Sequence, residues 1–472
     1  MIVQLCKKGE ITVFLSLLLS SVLGLLCVTF KSAGNLSVKL QDEIAMDAAL
    51  RSCFGEYHKE LYEKYDLLYI DSSYRVSNPG LENTAEHISE YMQKNLDFDE
   101  DFLSTDYFRI EVNDTSLESV LLSSDFGALP IYLQAIDYMN EYGEVSHASK
   151  ISSLRNDLPY INPPDIFGGW DEALERVNSF GVFFINPAAI VRGFAANGYR
   201  QVLDIRQGND NNLSYNNIPS KRTLMEGNYK SFSAQENEIV FTEYLYQHCG
   251  SYIHPKTNTV LSGELEYFLY GYGNDRKNAE MVADRLIRIF SNENLSYLSS
   301  DEGRLLELHA YAEELVPPPV DPLDPICWID REALVDAVAD SLKYAWAECE
   351  GILKVDRLFG GGMLPANSVS TAWILPLREI TAYRALLGGS GGSGYTYEEY
   401  LVSFFQEIDR KTLCYRFLDT VEMNMRKEGS PGFCVDGCIG YIEACVETNS
   451  IFGKEYSITR TYAYEDRYRE KN

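Results

Sequence analysis

Three cysteines near the end of the chain are the densest group of side chains that could carry chemistry. Cys434, Cys438 and Cys445 can form a disulfide in an oxidising compartment, bind zinc, or remain buried thiols. No histidine follows Cys414, so a zinc site here would need cysteines alone, at a spacing that is uncommon in zinc sites. We therefore predict a disulfide cluster or buried thiols, with the connectivity left open.

One glycine-rich stretch matches a nucleophile motif. Residues Gly388 to Gly392 read G-x-S-x-G, the turn that exposes a catalytic serine between a strand and a helix. A helical pattern ending at Leu386 and Leu387 precedes the stretch, where the motif requires a strand. We predict a flexible glycine and serine loop.

One aspartate series resembles the start of a calcium loop. Asp97, Asp99 and Asp101 have the D-x-D-x-D spacing whose carboxylates can converge on a hard cation. Phe102 and Phe108 stand where such a loop requires glycine and the bidentate glutamate. We predict an acidic loop at this position.

The histidines give no stronger signal. His248, Cys249 and His254 are close in sequence and could meet at a metal, but the chain has only 6 histidines and lacks H-E-x-x-H and C-x-x-C. Nucleotide-binding fingerprints are also absent from the sequence. The sequence thus predicts no catalytic, cofactor-binding or metal-binding residue, and we expect no enzyme activity.

The start of the chain is predicted to be a membrane anchor. Residues Ile11 to Phe30 contain no charge and no proline, and they follow Lys7 and Lys8. Twenty helical residues cover roughly 30 Å, the thickness of the hydrocarbon core. The lysines favour a cytoplasmic tip at 1–10 and an extracytoplasmic remainder, which makes a single-pass protein of the cell membrane.

Cleavage of this segment is the main alternative. A signal peptidase site needs small residues, but Lys31 stands where one is wanted before Gly34. Lipid attachment at Cys27 is disfavoured because Leu26 precedes it. We therefore expect an uncleaved anchor.

Residues 31–65 are predicted to continue the anchor as a helical stem. Apolar side chains recur there at three- and four-residue steps, on one helix face: Leu50, Phe54, Tyr57, Leu61 and Tyr65. Glu43 and Asp47 fall near the same line, closer to the membrane. Two interpretations remain open, solvated carboxylates or contacts with basic groups of a partner subunit.

Composition limits the classes of partner. The net charge of -29, from 70 acidic and 41 basic side chains, would repel nucleic acid and anionic headgroups. With 45% apolar and 12% aromatic residues, the chain can bury substantial cores. We expect a folded, acidic extracytoplasmic part that does not bind nucleic acid.

The rest of the pattern predicts an α+β fold without a βαβ rhythm. We expect α+β regions at 66–315 and 330–472, separated by a proline-rich linker at 316–329. The main expected elements are strands at 67–71, 108–112, 441–448 and 456–464, and helices at 84–96, 236–248, 278–290 and 330–349. The last two strands should form a hairpin around Gly453 and Lys454.

Several blocks of the sequence, in a fixed order, carry a family resemblance. They include KKGEITVFLSLLL in the anchor, YEKYDLLYID at the end of the stem, FRIEVNDTSLESVLLSSDFGALPIYLQAIDYM, LEYFLYGYGNDRKNAEMVADRL, YAWAECEGILKVDRLFGGGMLP and RFLDTVEMNMR. Together they resemble an uncharacterised bacterial family of membrane-anchored proteins, a domain of unknown function encoded with components of the tight-adherence (Tad/Flp) pilus.

The resemblance implies a pilin-like or pilus-associated surface protein whose partners are pilin-like or pilus-assembly proteins. One residue departs from the prepilin pattern, since Phe14 stands five residues after Gly9, where prepilin peptidase substrates carry glutamate. We therefore expect no cleavage after Gly9. The alternative function is an extracytoplasmic enzyme or ligand-binding protein with an unrecognised carboxylate or calcium site.

Overall fold

The chain folds as a mixed helix and strand structure with two compact units. The computed structural model describes residues 2–75, 78–97, 109–143, 147–158, 163–206, 208–222, 224–230, 236–318, 329–365, 373–450 and 455–468. The first unit comprises Met1–Gln134, Ser220–Ser233 and Gly429–Asn472, and the second comprises Ala135–Pro219 and Ala234–Glu428.

The first unit combines a long N-terminal helix with an antiparallel sheet. Its elements are α1 (Ile2–Gly55), α2 (Lys59–Tyr65), β1 (Ile70–Asp71), α3 (Leu81–Leu96), β2 (Glu111–Leu122), the start of α4 (Asp125–Glu141), β3 (Cys438–Asn449) and β4 (Glu455–Ala463). The stem prediction was correct for the continuous helix but wrong for its end. The helix stops at Gly55, and a second helix begins after His58, whose Nδ1 accepts the Leu61 N–H at 3.2 Å.

The central strand of the sheet is β3. β2 pairs with one side of it, and β4 and β1 pair with the other, all antiparallel. The hairpin of the last two strands is confirmed, although its turn, at 453–454, lies outside the described residues. β2 is longer than the sequence predicted and carries irregularities between Val112 and Asp114 and between Leu117 and Ser119.

The core of the first unit lies between α1, α3 and one face of the sheet. Fully or almost fully buried side chains fill it, chiefly Val38, Met46, Ala49, Leu50, Cys53 and Phe54 of α1, Ile88 and Met92 of α3, and Val120, Ile442, Ala444, Val446 and Ile458 of the strands. Along β3, Ile442, Ala444 and Val446 face this core, because side chains alternate along a strand.

The second unit is helical in its described part. Its helices are α5 (Ala148–Asp157), α6 (Phe167–Ser179), α7 (Pro187–Ala195), α8 (Gly198–Arg206), α9 (Glu238–His248), α10 (Glu264–Tyr270), α11 (Asp275–Ser300), α12 (Glu302–Leu315), α13 (Arg331–Phe359), α14 (Tyr397–Ser403) and α15 (Arg410–Lys427). Asn274 and Asp330 cap α11 and α13 by accepting backbone N–H groups. The helix predicted at 330–349 is present as the first part of α13, and its apolar stripe is buried: Leu334, Val338, Leu342, Ala345 and Cys349.

The predicted linker at 316–329 does not separate the units. Its residues 319–328 lie outside the described part of the chain, but α11 and α12 before it and α13 after it pack together in the second unit. The proline pattern correctly marks the end of a helix, at Leu315, because proline lacks the N–H that would continue it. The sequence therefore predicts where this helix ends, but it does not predict the boundaries of the two compact units.

Candidate functional site: the N-terminal helix and its sheet

The two halves of α1 have opposite environments. Residues from Ile11 to Phe30 are exposed on all sides, with Phe14 at 66% and Phe30 at 74%. The best window has a mean hydropathy of 2.5 and none of it is buried in the protein, so the helix is long and apolar enough to cross a membrane. From Val38 onward, one face of the same helix is buried.

The buried half of α1 is joined to the sheet by aromatic contacts. The Phe54 ring lies 4.7 Å from that of Tyr462 and 4.9 Å from that of Tyr464, and the Tyr464 hydroxyl donates to the Phe54 carbonyl at 2.7 Å. Burying a side chain such as Phe54 contributes about 1.5–3 kcal/mol. The second half of α1 is therefore packed against the end of the chain, and the exposed apolar half continues from it towards the N-terminus.

A carboxylate lies inside this helix–sheet contact. Asp42 is fully buried, and its Oδ2 accepts the Thr448 hydroxyl at 2.9 Å, whereas its Oδ1 has no partner among the described residues. Burial raises the pKa of Asp42 to about 6, and the hydrogen bond from Thr448 opposes that rise. Sequence reasoning missed this residue because an aspartate on an amphipathic helix normally faces solvent.

The two acids predicted as partner contacts have a partner in the same chain. Arg460 of β4 places Nη2 3.2 Å from Glu43 Oε2 and Nε 3.4 Å from Asp47 Oδ1, and Lys39 Nζ lies 3.8 Å from Glu43 Oε1. The acids thus pair with a basic group of the same chain, on the sheet. Contacts of Glu43 and Asp47 with a partner subunit stay a prediction.

A different side of α1 is apolar and open. Leu36, Leu40 and Ile44 are 70%, 57% and 62% exposed, although they lie beyond the predicted membrane segment. Leu40 and Ile44 line a groove of about 420 Å³ that also includes Asn95, just before the end of α3. Exposed leucine and isoleucine at four-residue steps form a surface that suits another helix.

The cysteine cluster contains thiols in the structure. The Cys434 thiol donates to Ser220 Oγ at 3.5 Å, and the Cys438 thiol contacts the Cys434 carbonyl at 3.9 Å. Cys445 Sγ lies 3.1 Å from Ser457 Oγ. Cys438 and Cys445 are seven residues apart on the unbroken strand β3, about 23 Å at the rise of a strand. Because a disulfide needs Cα atoms within about 7 Å, these two cannot pair.

The serine and glycine stretch is a loop, as predicted, but an anchored one. Asp356 Oδ2 accepts the N–H groups of Gly388 at 2.7 Å and Gly389 at 3.1 Å, and Arg206 Nε donates to Asp356 Oδ1 at 3.1 Å. The preceding element is a 3₁₀ segment, Leu377–Leu386, and not the strand that a nucleophile elbow requires.

The histidines near the end of α9 do not converge. His248 Nδ1 contacts the Tyr244 carbonyl at 2.9 Å, whereas His254 Nδ1 contacts Glu398 Oε1 at 2.7 Å. The Ser251 hydroxyl donates to the same Glu398 oxygen at 2.7 Å, so it is not activated by a histidine as a nucleophile would be. In the described part of the chain, no three potential metal ligands lie together. Asp99 and Asp101 of the calcium-like series lie outside the described residues.

A buried charged cluster in the second unit was missed by sequence reasoning. The Lys354 side chain is fully buried and donates to Asn294 Oδ1 at 2.6 Å, while Glu350, one turn before it, accepts the N–H groups of Ile374 and Leu375 at 2.9 and 2.8 Å. Burial lowers the pKa of Lys354 to about 8. The only sequence signal is the i, i+4 spacing of Glu350 and Lys354 on an otherwise apolar helix face.

Comparison with known proteins identifies a family and no relative of known activity. A model of a family of unknown function, DUF5702, matches residues 186–450, from just before α7 through β3. No curated protein and no solved structure shows significant similarity to the chain. Since the family model covers more than half of the chain, this protein belongs to the family of unknown function DUF5702.

Proposed function

We propose that the protein is a membrane-anchored extracytoplasmic structural or accessory component of a Tad/Flp-type pilus or a related surface apparatus. The observation that carries the proposal is the division of α1, one unbroken helix whose first half is apolar and uncovered and whose second half packs on an antiparallel sheet. This arrangement is pilin-like, because a single helix serves both as anchor and as part of the folded head. The sequence resemblance to a family encoded with pilus components supports the same role.

The orientation that we propose follows from charge. Lys7 and Lys8 would keep the N-terminus in the cytoplasm, so both compact units would lie outside. A membrane-impermeant maleimide applied to whole cells tests this orientation. Labelling gained by Asp210→Cys over the parent protein is expected, whereas Cys6→Ser should remove no label until the cells are permeabilised. Labelling of Cys6 in intact cells, without labelling at position 210, would reverse the orientation.

The partner that we propose is another membrane-emerging helix at the open side of α1. Leu40 and Ile44 are exposed on the same helix that enters the membrane, so whatever covers them must also lie near the membrane surface. A pilin-like protein or an inner-membrane assembly protein meets this requirement, because its own helix leaves the bilayer there.

Crosslinking in cells that assemble the appendage tests this role. Photoreactive residues at Leu36, Leu40 and Ile44 should capture small single-helix proteins or assembly components of the membrane. Leu306 on α12, which is 72% exposed, is the matched control and should capture neither. Capture at Leu306 but at none of the three α1 positions would contradict the proposal and favour the enzyme or ligand-binding alternative.

A further inference from the structure

β2 forms one edge of the sheet, and a short part of this edge is open. Near one end of the strand, the Val112 N–H donates away from β3, to Gln93 Oε1 at 2.9 Å. Near the other end, the Val120 N–H donates to Asn228 Oδ1 at 2.7 Å, and the Val120 carbonyl accepts N–H groups from Asn228 and Tyr229 at 3.1 Å. Asn228 Nδ2 also donates to the Glu118 carbonyl at 2.8 Å. From Asn113 to Leu117, the outer side of the β2 backbone has no such cover among the described residues.

The register identifies which backbone groups face the open edge. Val112, Thr115, Leu117 and Val120 pair with Thr448, Val446, Ala444 and Ile442, alternate residues of a strand that is paired without irregularity to β4. Antiparallel pairs alternate between those that exchange hydrogen bonds and those whose N–H and C=O groups point outward. Since Val112 and Val120 point outward, Thr115 and Leu117 do so as well.

The open edge borders a groove with an apolar floor and an acidic rim. The groove, of about 480 Å³, lies between β2 and α3 and is lined by Leu81, Ala85 and Leu117 together with Glu82, Glu86 and Asp114. In the part of the chain that the structure describes, Glu82 and Glu86 are exposed and no basic side chain pairs with them. Three carboxylates without a cation are complementary to Lys or Arg.

We propose that the β2 edge from Asn113 to Leu117 binds an extended segment of a partner protein as an added strand, whose Lys or Arg side chains pair with Glu82 and Glu86. Main-chain hydrogen bonds to Thr115 and Leu117 supply the strand geometry. The basic residues of the segment occupy the alternate positions that face α3, with their methylene groups over the groove floor. A second copy of this chain is disfavoured as the occupant, because its net charge of -29 matches the sign of the rim.

Two of the three irregularities of β2 limit the length of the stretch that can pair with an added strand. They fall between Val112 and Asp114 and between Leu117 and Ser119, on either side of the open stretch. Bulges twist an edge strand and interrupt continuous pairing, which protects the edge against extended aggregation. The added strand would thus pair over a short stretch, and the charge of its side chains would supply specificity.

Full-length protein in detergent micelles, with a fluorescent amidated peptide Lys-Val-Lys-Val-Lys-Val-Lys as probe, tests the proposal. Anisotropy should show binding that weakens by about tenfold in a Glu82→Gln, Glu86→Gln variant, which corresponds to about 1.4 kcal/mol. Glu90→Gln, on the same helix and outside the groove, should bind as the parent does. Hydrogen exchange at the Thr115 and Leu117 amides should slow when the peptide is bound.

A second peptide separates strand addition from attraction by charge alone. Methylation of alternate backbone nitrogens keeps the four lysines but removes the donors that pair with β2, so this peptide should bind much more weakly. Equal binding of both peptides, equal binding to the parent and the double variant, or unchanged exchange at Thr115 and Leu117 would overturn the proposal. Self-association of the protein without peptide would also overturn the proposal if the double variant abolished it, because the β2 edge would then bind a second copy of the chain.

Discussion

The guanidinium of Arg460 lies 3.2 Å from the carboxylate of Glu43 and thereby connects the last strand of the sheet to the helix that begins the chain. The same guanidinium reaches Asp47 at 3.4 Å. The side chains of Arg460 and Glu43 are 37% and 32% exposed, so solvent screens the pair. The ion pairs therefore orient β4 on α1, while the apolar contacts beneath supply most of the stabilisation.

This division of roles predicts a small effect for Arg460→Ala. The variant should lower the free energy of unfolding of the first unit by no more than about 1 kcal/mol, because exposed ion pairs contribute about 0.2–1 kcal/mol. A double-mutant cycle with Glu43→Ala, measured by hydrogen exchange of β3 amides, gives the coupling. The same cycle on the surface pair Glu90 and Lys94 is the control. A coupling of several kcal/mol would show that the pair is more than an orienting contact.

Phe54→Ala should have a much larger effect. Phe54 is only 3% exposed and contacts the rings of Tyr462 and Tyr464, so its truncation should cost about 3–5 kcal/mol. Leu40→Ala, on the open side of α1, should change the stability by less than about 0.5 kcal/mol. Amide hydrogen exchange at Ile442 and Ala444 measures the stability of the first unit. Tryptophan fluorescence does not, because the described tryptophans Trp170, Trp346 and Trp373 belong to the second unit. Similar losses in both variants would contradict this account of the contact.

Local sequence patterns predicted the helix and the strands that meet at the contact between α1 and the sheet. They did not predict that these elements pack against each other. The anchor, the apolar stripe at Leu50 and Phe54 and the last hairpin follow from periods of 3.6 and 2 residues. The pairing of Arg460 with Glu43 depends on a register between segments at opposite ends of the chain, which no local period contains. Hydrophobic periodicity sets which face is buried but not which element buries it.

β2 was predicted too short for a related reason. Its sequence, EVNDTSLESVLL, is largely polar and is interrupted by three irregularities, so the alternation that indicates a strand is lost after Val112. An edge strand with one solvated side tolerates Asn, Asp and Ser that a central strand would not. The polar residues and irregularities that suit β2 to the edge of the sheet therefore also prevented its prediction as a long strand.

The buried carboxyl of Asp42 predicts a pH dependence of stability. Its pKa is about 6 in the folded protein against 3.8 for an ordinary aspartate, because burial disfavours the charged form. The folded state therefore binds a proton more tightly than the unfolded state does. Its contribution to stability is fully present below about pH 4 and is lost as the pH rises through about 6.

Asp42→Asn should remove this dependence and keep the Thr448 hydrogen bond. The variant should be more stable than the parent at pH 8, on the order of 1–3 kcal/mol, and nearly equal to it at pH 4. The difference between the two unfolding curves isolates Asp42 from the other titrating groups, and Glu90→Gln controls for the loss of a surface charge. A constant difference across this pH range would contradict the assignment to Asp42.

A further prediction concerns the residue at which the mature protein begins. We predict that the membrane-extracted protein retains residues 11–30, because Lys31 disfavours a signal peptidase site. We also predict that it is not cleaved after Gly9, because Phe14 disfavours prepilin processing. Intact-mass measurement and N-terminal sequencing decide this point. A start at Gly34 or later would make the protein secreted, and a start at Glu10 would show that prepilin peptidase accepts Phe14.

The buried Lys354 gives the sharpest prediction for the second unit. Its ammonium group donates to Asn294 and lies 5.6 Å from the centre of the Trp373 ring, near the carboxyls of Glu350 and Glu293. Lys354→Met removes the cation with the larger effect on the buried Glu350 carboxylate and leaves the smaller one of Arg357, which should cost about 3–5 kcal/mol of unfolding free energy. Burial raises the pKa of Glu293 to about 7, so this carboxyl can take up a proton in the variant.

Tryptophan fluorescence during denaturation measures the effect, because Trp346 and Trp373 lie in this cluster with their rings 4.9 Å apart. Lys343→Met on the same helix, where the lysine pairs with Asp340 at 3.2 Å, is the matched control and should cost about 1 kcal/mol or less. Adding Glu350→Gln to Lys354→Met should recover part of the loss, since the remaining amide still accepts one N–H from Ile374 or Leu375. No recovery would mean that Lys354 acts through its packed methylene groups rather than through its charge.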